Sequence, residues 1–352
     1  MTLHLRTTVS SGDPIYRQIA AQLCAAAASG MLRPGDALPA PGALAQDLVV
    51  HPRAVERAYA LLADRGVFRR DERGRVRVTG DGAEAAAAPP PSGRRPDPAP
   101  SPRSQDLAWQ LSEAREVQQR LLPASMAVAG LDVAAVSRPA LGVGGDYHDV
   151  VPGPDDDATL VIADVSGKGL PAALLMAALR GSLHAHLEQA LPLEALVGHL
   201  NRRLYDGSAP NRFATFFCGR WRAGARTLEY VNAGHQPPLC CAGGAIRALD
   251  VTGPALGLVP DATYGVRALR LDRGDLLLLY SDGVTDALDA VGDTWGESRL
   301  HETLQAAGRL PAGQVVQQVL AAADRHADGT PQFDDITIVA VRVPAAGAGA
   351  VA

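Results

Sequence analysis

The chain has a single lysine, Lys168, against 32 arginines, and only four cysteines in 352 residues. Cys24, Cys218, Cys240 and Cys241 show neither a disulfide spacing nor paired C-x-x-C knuckles, which excludes a disulfide scaffold and a zinc ribbon. No apolar run approaches the ~20 residues that a membrane-spanning helix needs. The N-terminus, MTLHLRTTVSSGDP, has no apolar core of a signal peptide. A reducing, cytoplasmic setting is the expectation. There is no internal repeat. What is present is a globular composition, 47% hydrophobic and 20% charged, in a length that suggests two domains.

The net charge of -5 is unevenly placed. Residues 1–80 hold 11 Arg and 7 acids, residues 81–104 hold 3 of each, and the remainder holds 19 basic and 28 acidic residues. A basic head on an acidic body points to nucleic acid at one end and cations at the other. Between them, AEAAAAPPPSGRRPDPAPSPRS reads as an extended linker, so the expected division is 1–80, linker 81–104, connecting helix 105–122 and a domain over 123–345.

In the head, Asp13 caps a helix with Pro14 at its first position and Ile15, Ile19 and Leu23 on one face. Pro39 and Pro41 open a second helix carrying Leu44 and Leu48. His51-Pro52 opens a third with Val55, Ala58, Tyr59 and Leu62 inward, ended by Gly66. VFRRDERGRVRV then reads as two strands around a turn at Asp71–Gly74. Three helices and a basic hairpin outline a winged helix-turn-helix. The P-x-Y-x-Q-I, S-G-x-L-x-P-G-D-x-L-P and A-x-x-L-x-x-x-G-V stretches resemble the DNA-binding domain of GntR-type regulators. That resemblance places Arg53 and Arg57 of the third helix in a major groove and Arg73 and Arg75 of the wing on phosphates. Ala40 and Gly42 stand where the family has a Ser and an Arg, which leaves DNA contact and a protein-holding role both open.

The connecting segment QDLAWQLSEAREVQQRLL is an amphipathic helix with Leu107, Leu111, Ala114, Val117 and Leu121 on one stripe. Beyond it, apolar strands end in acidic turns: VGGDYHDVV, TLVIADVSGKG, DLLLLYSDG and FDDITIVAVRV. A lone acid at a strand end is a turn former. Four such turns argue for carboxylates converging at one edge of a sheet core. Hard divalent cations suit them, because Mg²⁺ and Mn²⁺ take oxygen ligands and keep several waters. Two ions about 3.5–4 Å apart would lower the pKa of a water between them and aim it at phosphorus.

GGDYHDV, IADVSGKGLPAALLMA, RFATF, LEYVNAGHQPPL, GPALGL, YSDGVTDA and FDDITIVAV resemble, in order, the SpoIIE- and RsbU-like protein phosphatases of the metal-dependent type 2C superfamily. The resemblance implies an α-β-β-α sandwich of two mainly antiparallel sheets and Mn²⁺- or Mg²⁺-dependent serine/threonine phosphatase activity. It also implies metal binding by Asp146, Asp164, the Val165 carbonyl, Asp282 and Asp334, with Asp334 chosen over Asp335 by motif alone. The same likeness implies a phosphorylated anti-sigma-factor antagonist as substrate, and the two resemblances together imply a homodimer. His148 stands where the family has an aromatic Tyr. Ser166 stands where eukaryotic relatives have a His, which leaves the general acid unassigned.

Two other motifs are weighed against these. SGKG fails the P-loop pattern, since position 162 is Ile and Lys168 precedes Gly169. Lys168 as a phosphate-side residue and as a compositional survivor both stand. Cys241-Ala-Gly-Gly-Ala-Ile-Arg247 matches C-x₅-R of cysteine phosphatases but reads as a hairpin turn. A regulator whose second domain only senses a metal or phospho-ligand is the rival to an enzyme. The long helix LPAALLMAALRGSLHAHLEQ is apolar nearly all round, as for a layer buried on a sheet.

Overall fold

In the computed structural model, residues 15–48, 52–71, 75–79, 102–123, 128–209 and 212–345 are described. They fall into two compact units, divided at Ala99 and Pro100. Asp13, Pro14, Arg73 and the 81–101 stretch lie outside the described residues.

The N-terminal unit holds α1 (Ile15–Ala28), α2 (Pro41–Leu48), α3 (Pro52–Asp64), β1 (Phe68–Arg70) and β2 (Val76–Val78). Apolar residues three and four apart on the helices meet in one core of Ile19, Leu23, Leu44, Val55, Leu62 and Phe68. Pro41 and Pro52 each stand at a first helical position, where a missing N–H costs nothing. The wing gains a third strand-like edge, because Gly35 and Leu38 donate to Val78 and Val76 carbonyls at 2.9 Å each.

The C-terminal unit begins with α4 (Pro102–Leu121), three residues earlier than expected. Proline fits a helix's first turn, and composition alone could not distinguish it from the linker prolines. The expected stripe is also rotated. Val117 is 59% exposed while its neighbour Gln118 is buried at 7%. The polar side chain goes inside because its amide exchanges two hydrogen bonds with the backbone of Gly144, at 2.7 and 3.0 Å.

Two antiparallel five-stranded sheets follow. The first has the order β10-β7-β6-β5-β4, from β4 (Asp146–Pro152), β5 (Ala158–Val165), β6 (Ala214–Arg222), β7 (Thr227–Ala233) and β10 (Arg267–Arg270). The second has the order β3-β12-β11-β8-β9, from β3 (Asp132–Arg138), β8 (Leu239–Ala242), β9 (Ala245–Ala248), β11 (Leu276–Tyr280) and β12 (Ile336–Arg342). On the first sheet lie α5 (Leu170–Leu187) and α6 (Leu193–Gly207). On the second lie α8 (Gly296–Ala307) and α9 (Ala312–Ala327), with the one-turn α7 (Asp282–Thr285) after β11.

Three cores make four layers. Alternate residues of β5 divide between them: Val161, Ala163 and Val165 face the helices, while Leu160 and Ile162 face the other sheet. Strands covered on both faces need apolar residues at every position, which is why LVIADV and LLLLY lack polar alternation. Phe217 is fully buried between the sheets and stacks on Tyr230 at 5.5 Å between centroids. One expectation is corrected here. Only one face of α5 is covered, through Ala172, Met176, Leu179 and Leu183, while Leu170 and Leu174 are 45% and 64% exposed.

Candidate active site

Asp146 opens β4 and pairs in register with Asp164 near the end of β5. Both occupy the register that elsewhere in these strands faces the second sheet, with Val150 and Ile162. Directly opposed positions on an antiparallel pair place Cβ atoms about 5 Å apart, so the two carboxylates share a small space. Across from them, Ser281 follows β11 and donates its hydroxyl to Asp146 Oδ2 at 2.7 Å. Ser281 is itself held, since its Oγ accepts the Thr337 N–H at 2.9 Å. Burial, then the neighbouring Asp164 and Asp335 carboxylates, push Asp146 well above the usual carboxylate range, and the Ser281 hydroxyl opposes this only in part.

The glycine pair before Asp146 is dictated by what presses on it. A Cβ on Gly145 would lie 2.6 Å from the Val165 carbonyl oxygen, and one on Gly144 would collide with the Asp335 carboxylate. The backbone of the Gly-Gly turn therefore lies against Val165 and Asp335 as no other residue type could.

Asp334 and Asp335 have different work. The Asp335 carboxylate is buried and accepts the N–H groups of Ala140 at 2.8 Å and Gly145 at 2.7 Å, tying the turn before Asp146 to β12. Burial still raises its pKa. Asp334 instead has Lys168 Nζ at 3.3 Å. Asp282 begins α7 and lines a cleft of about 260 Å³ with Asp164, Thr215, Gly234, His235, Gln236 and Pro237. Among the described residues, no group of three or more His, Cys, Asp or Glu is placed so that it could hold a metal ion by itself.

Not every acid of the four turns joins this site. Asp149 is an odd number of residues from Asp146 and so faces the helix layer, where it accepts the Tyr147 hydroxyl at 2.6 Å and pairs with His184 at 2.8 Å. His148 is buried, and burial brings it down to about 4, so it packs as a neutral ring. His235 is likewise held down at about 4 by burial, with Nδ1 2.8 Å from Thr215 Oγ1. The C-x₅-R motif spans the β8–β9 hairpin, with Arg247 paired to Cys240 in the ladder. Burial pushes the Cys241 thiol up to about 11, the wrong direction for a nucleophilic thiolate.

In the N-terminal unit, Arg57 lies over the Tyr16 ring at 4.1 Å. Arg75 and Arg77 both pair with Asp71, at 3.2 and 2.8 Å. The side chain of Arg53 is outside the described residues. Gln118 and Ser281 are parts of the site that the sequence alone does not mark, while Asp335, the alternative to Asp334 in the same acidic turn, holds the turn before Asp146. Ser281 is next to an expected ligand, and that adjacency is its only signal.

The layering and the acidic edge define a phosphatase fold of the PP2C type. The SiaA-PP2C domain of Pseudomonas aeruginosa shares it with a TM-score of 0.63 over 68% of this chain and 98% of that one, at 21% identity. The chain belongs to the SpoIIE family: the stage II sporulation protein E (SpoIIE) family matches residues 154–344, more than half of the 352. That span holds Asp164, Asp282 and Asp334, while Asp146 precedes it. The gntR family of bacterial regulatory proteins matches residues 15–78.

Protein IcfG of Synechocystis sp. is 32% identical over 263 residues, 66% of this chain and 41% of its own length. Phosphoserine phosphatase RsbU of Bacillus subtilis is 30% identical over 185 residues, 52% of this chain and 55% of its own. The chain thus spans about half the length of the curated relatives it matches. Among the described residues, no helix is long and apolar enough to cross a membrane.

Proposed function

We propose that the C-terminal unit is a Mn²⁺- or Mg²⁺-dependent phosphatase of phosphoserine and phosphothreonine proteins. The observation that carries this reading is the crowding of Asp146 and Asp164 of the first sheet with Asp335 of the second, beside a cleft that Asp164 shares with Asp282. Like charges are buried together at a cost unless a cation joins them. In its chemistry the donor set suits a hard divalent ion, since it is all oxygen; no three of its carboxylates converge as they stand, so waters in the adjoining cleft would complete the shell. Asp146, Asp164, the Val165 carbonyl, Asp282 and Asp334 would hold it.

Two such ions held there would supply Lewis-acid charge at the phosphoryl group and make a water nucleophilic at neutral pH. The chain's own residues do the rest. Ser281 fixes the Asp146 carboxylate, Asp335 fixes the turn that carries it, and the cleft wall of Thr215, His235 and Gln236 orients the substrate. His235 is a poor proton donor at neutral pH, because burial keeps it neutral. Ser166 Oγ accepts the Phe213 N–H at 3.0 Å, which ties it into the turn. The leaving oxygen takes its proton from water.

Likeness to RsbU supports a phosphorylated anti-sigma-factor antagonist as the partner, and a homodimer is the working state that suits both family resemblances. The gntR match supports a DNA contact by the N-terminal unit through Arg53, Arg57, Arg73 and Arg75. Phosphate release from a phosphoserine peptide and from p-nitrophenyl phosphate tests the enzyme reading. Turnover should need Mn²⁺, vanish in EDTA and return on adding metal. A folded, Mn²⁺-saturated chain that releases no phosphate from either substrate would overturn it in favour of a sensor.

A further inference from the structure

A cation of the chain's own already sits at the fourth acid. Lys168 extends from the 166–169 turn between β5 and α5, and its ammonium makes three contacts. It donates to the Phe333 carbonyl, lies 3.8 Å from the centroid of the Phe333 ring, and stands 3.3 Å from Asp334 Oδ2. The two side chains of the ion pair are 29% and 11% exposed, so solvent and salt screen it less than a surface pair.

Both ends of the contact are anchored. On one side, the Arg212 guanidinium donates to the Ser166 carbonyl at 2.7 Å and packs against Gly167. On the other, the Gln332 amide donates to the carbonyls of Arg138 at 2.6 Å and Asp334 at 2.7 Å. Ammonium and carboxylate therefore meet between two fixed turns.

We propose that Lys168 is a built-in competitor for the divalent cation at Asp334. Its ammonium neutralises that carboxylate in the metal-free protein and is displaced from it when the cation binds. This inference rests on the reading of Asp334 as a cation ligand. A dication arriving at Asp334 either keeps a positive neighbour close by or breaks the pair, and each outcome weakens its binding. A lysine suits the task better than an arginine. Its compact ammonium on a flexible stem can leave one carboxylate oxygen without breaking a bidentate fork. Once displaced, it stays tethered near the site by the Phe333 carbonyl and ring. Metal loading is then coupled to the turn between Asp164 and α5.

Mn²⁺ binding to the full chain, followed by the EPR signal of the free aqua ion, tests this without any turnover. Lys168→Gln and Lys168→Met should each tighten binding roughly five-fold, the size expected for a partly screened ion pair. Lys168→Arg should stay within about two-fold of wild type. In an Asp334→Asn background, Lys168→Gln should change affinity far less, because the carboxylate in dispute is gone. Equal or weaker Mn²⁺ binding in folded Lys168→Gln and Lys168→Met would overturn the proposal. So would the same five-fold gain with Asp334→Asn. Wild-type Mn²⁺ binding that Asp334→Asn leaves intact would sink the ligand reading of Asp334 itself, and this inference with it.

Discussion

The two units treat their charges in opposite ways. In the N-terminal unit, the described arginines expected at a nucleic acid have partners inside the domain: Arg57 lies on Tyr16, and Arg75 joins Arg77 on Asp71. In the C-terminal unit, Asp146 is buried beside two further carboxylates and its pKa is driven up. Neutralised charge stabilises a domain, and crowded like charge costs it stability. Keeping carboxylates together where they repel makes sense when a ligand of opposite sign completes the arrangement, and perturbed ionisation of this kind clusters at functional sites.

The largest expected effect concerns what holds the crowded site in place. Phe217→Ala empties a fully buried, stacked position between the sheets and should cost about 3–5 kcal/mol of C-terminal stability. Chemical denaturation should show that loss while the N-terminal transition stays put. Next comes the glycine turn. Gly145→Ala places a methyl 2.6 Å from the Val165 carbonyl and should cost about 1–3 kcal/mol through backbone displacement. Mn²⁺-dependent phosphate release should fall on the order of 100-fold, because a small misplacement of a catalytic group is enough. Activity within two-fold of wild type would show that the turn does not position Asp146.

Asp146→Asn separates the two kinds of charge most sharply. The folded-state pKa of Asp146 is raised above its unfolded value. Its contribution to stability is therefore fully present below the unfolded pKa and is lost as pH rises through the folded one. At pH 7 the metal-free wild type bears that cost and the Asn variant does not. Melting without metal should rise by about 2–4 °C in Asp146→Asn, on the order of 1 kcal/mol. The gain should shrink as pH falls towards 4, and Mn²⁺ should no longer stabilise the variant. The smallest effect is expected from Arg57→Ala, which removes a cation–π contact worth about 0.5–1 kcal/mol. N-terminal stability in chemical denaturation should drop by that amount, and DNA mobility shifts should change less than with Arg53→Ala.

Much of the architecture was legible because buried strands advertise themselves. LVIADV and LLLLY leave no polar alternation, so each had to be covered on both sides, and the acids that end them marked a common edge. The helices of the head were fixed by Pro41, Pro52 and the three-and-four spacing of Val55, Ala58, Tyr59 and Leu62. What stayed hidden depended on contacts far apart in the chain. Nothing near Gln118 signals that it turns inward to hold Gly144, 26 residues on. Asp334 and Asp335 are chemically identical neighbours, and distant contacts tell them apart: the amides of Ala140 and Gly145 on Asp335, the Lys168 ammonium on Asp334. The outer face of α5 misled for another reason: Leu170 and Leu174 are apolar yet exposed, so composition overstated how much of that helix is covered.

In the proposed mechanism the carboxylates carry the chemistry and the C-x₅-R cysteine does not. The most direct measurement sets Asp164→Asn beside Cys241→Ser in one assay of Mn²⁺-dependent phosphate release from a phosphoserine peptide. Asp164→Asn should lose turnover on the order of 1000-fold, and Cys241→Ser should keep the wild-type rate. An inactive Cys241→Ser with an active Asp164→Asn would contradict that mechanism.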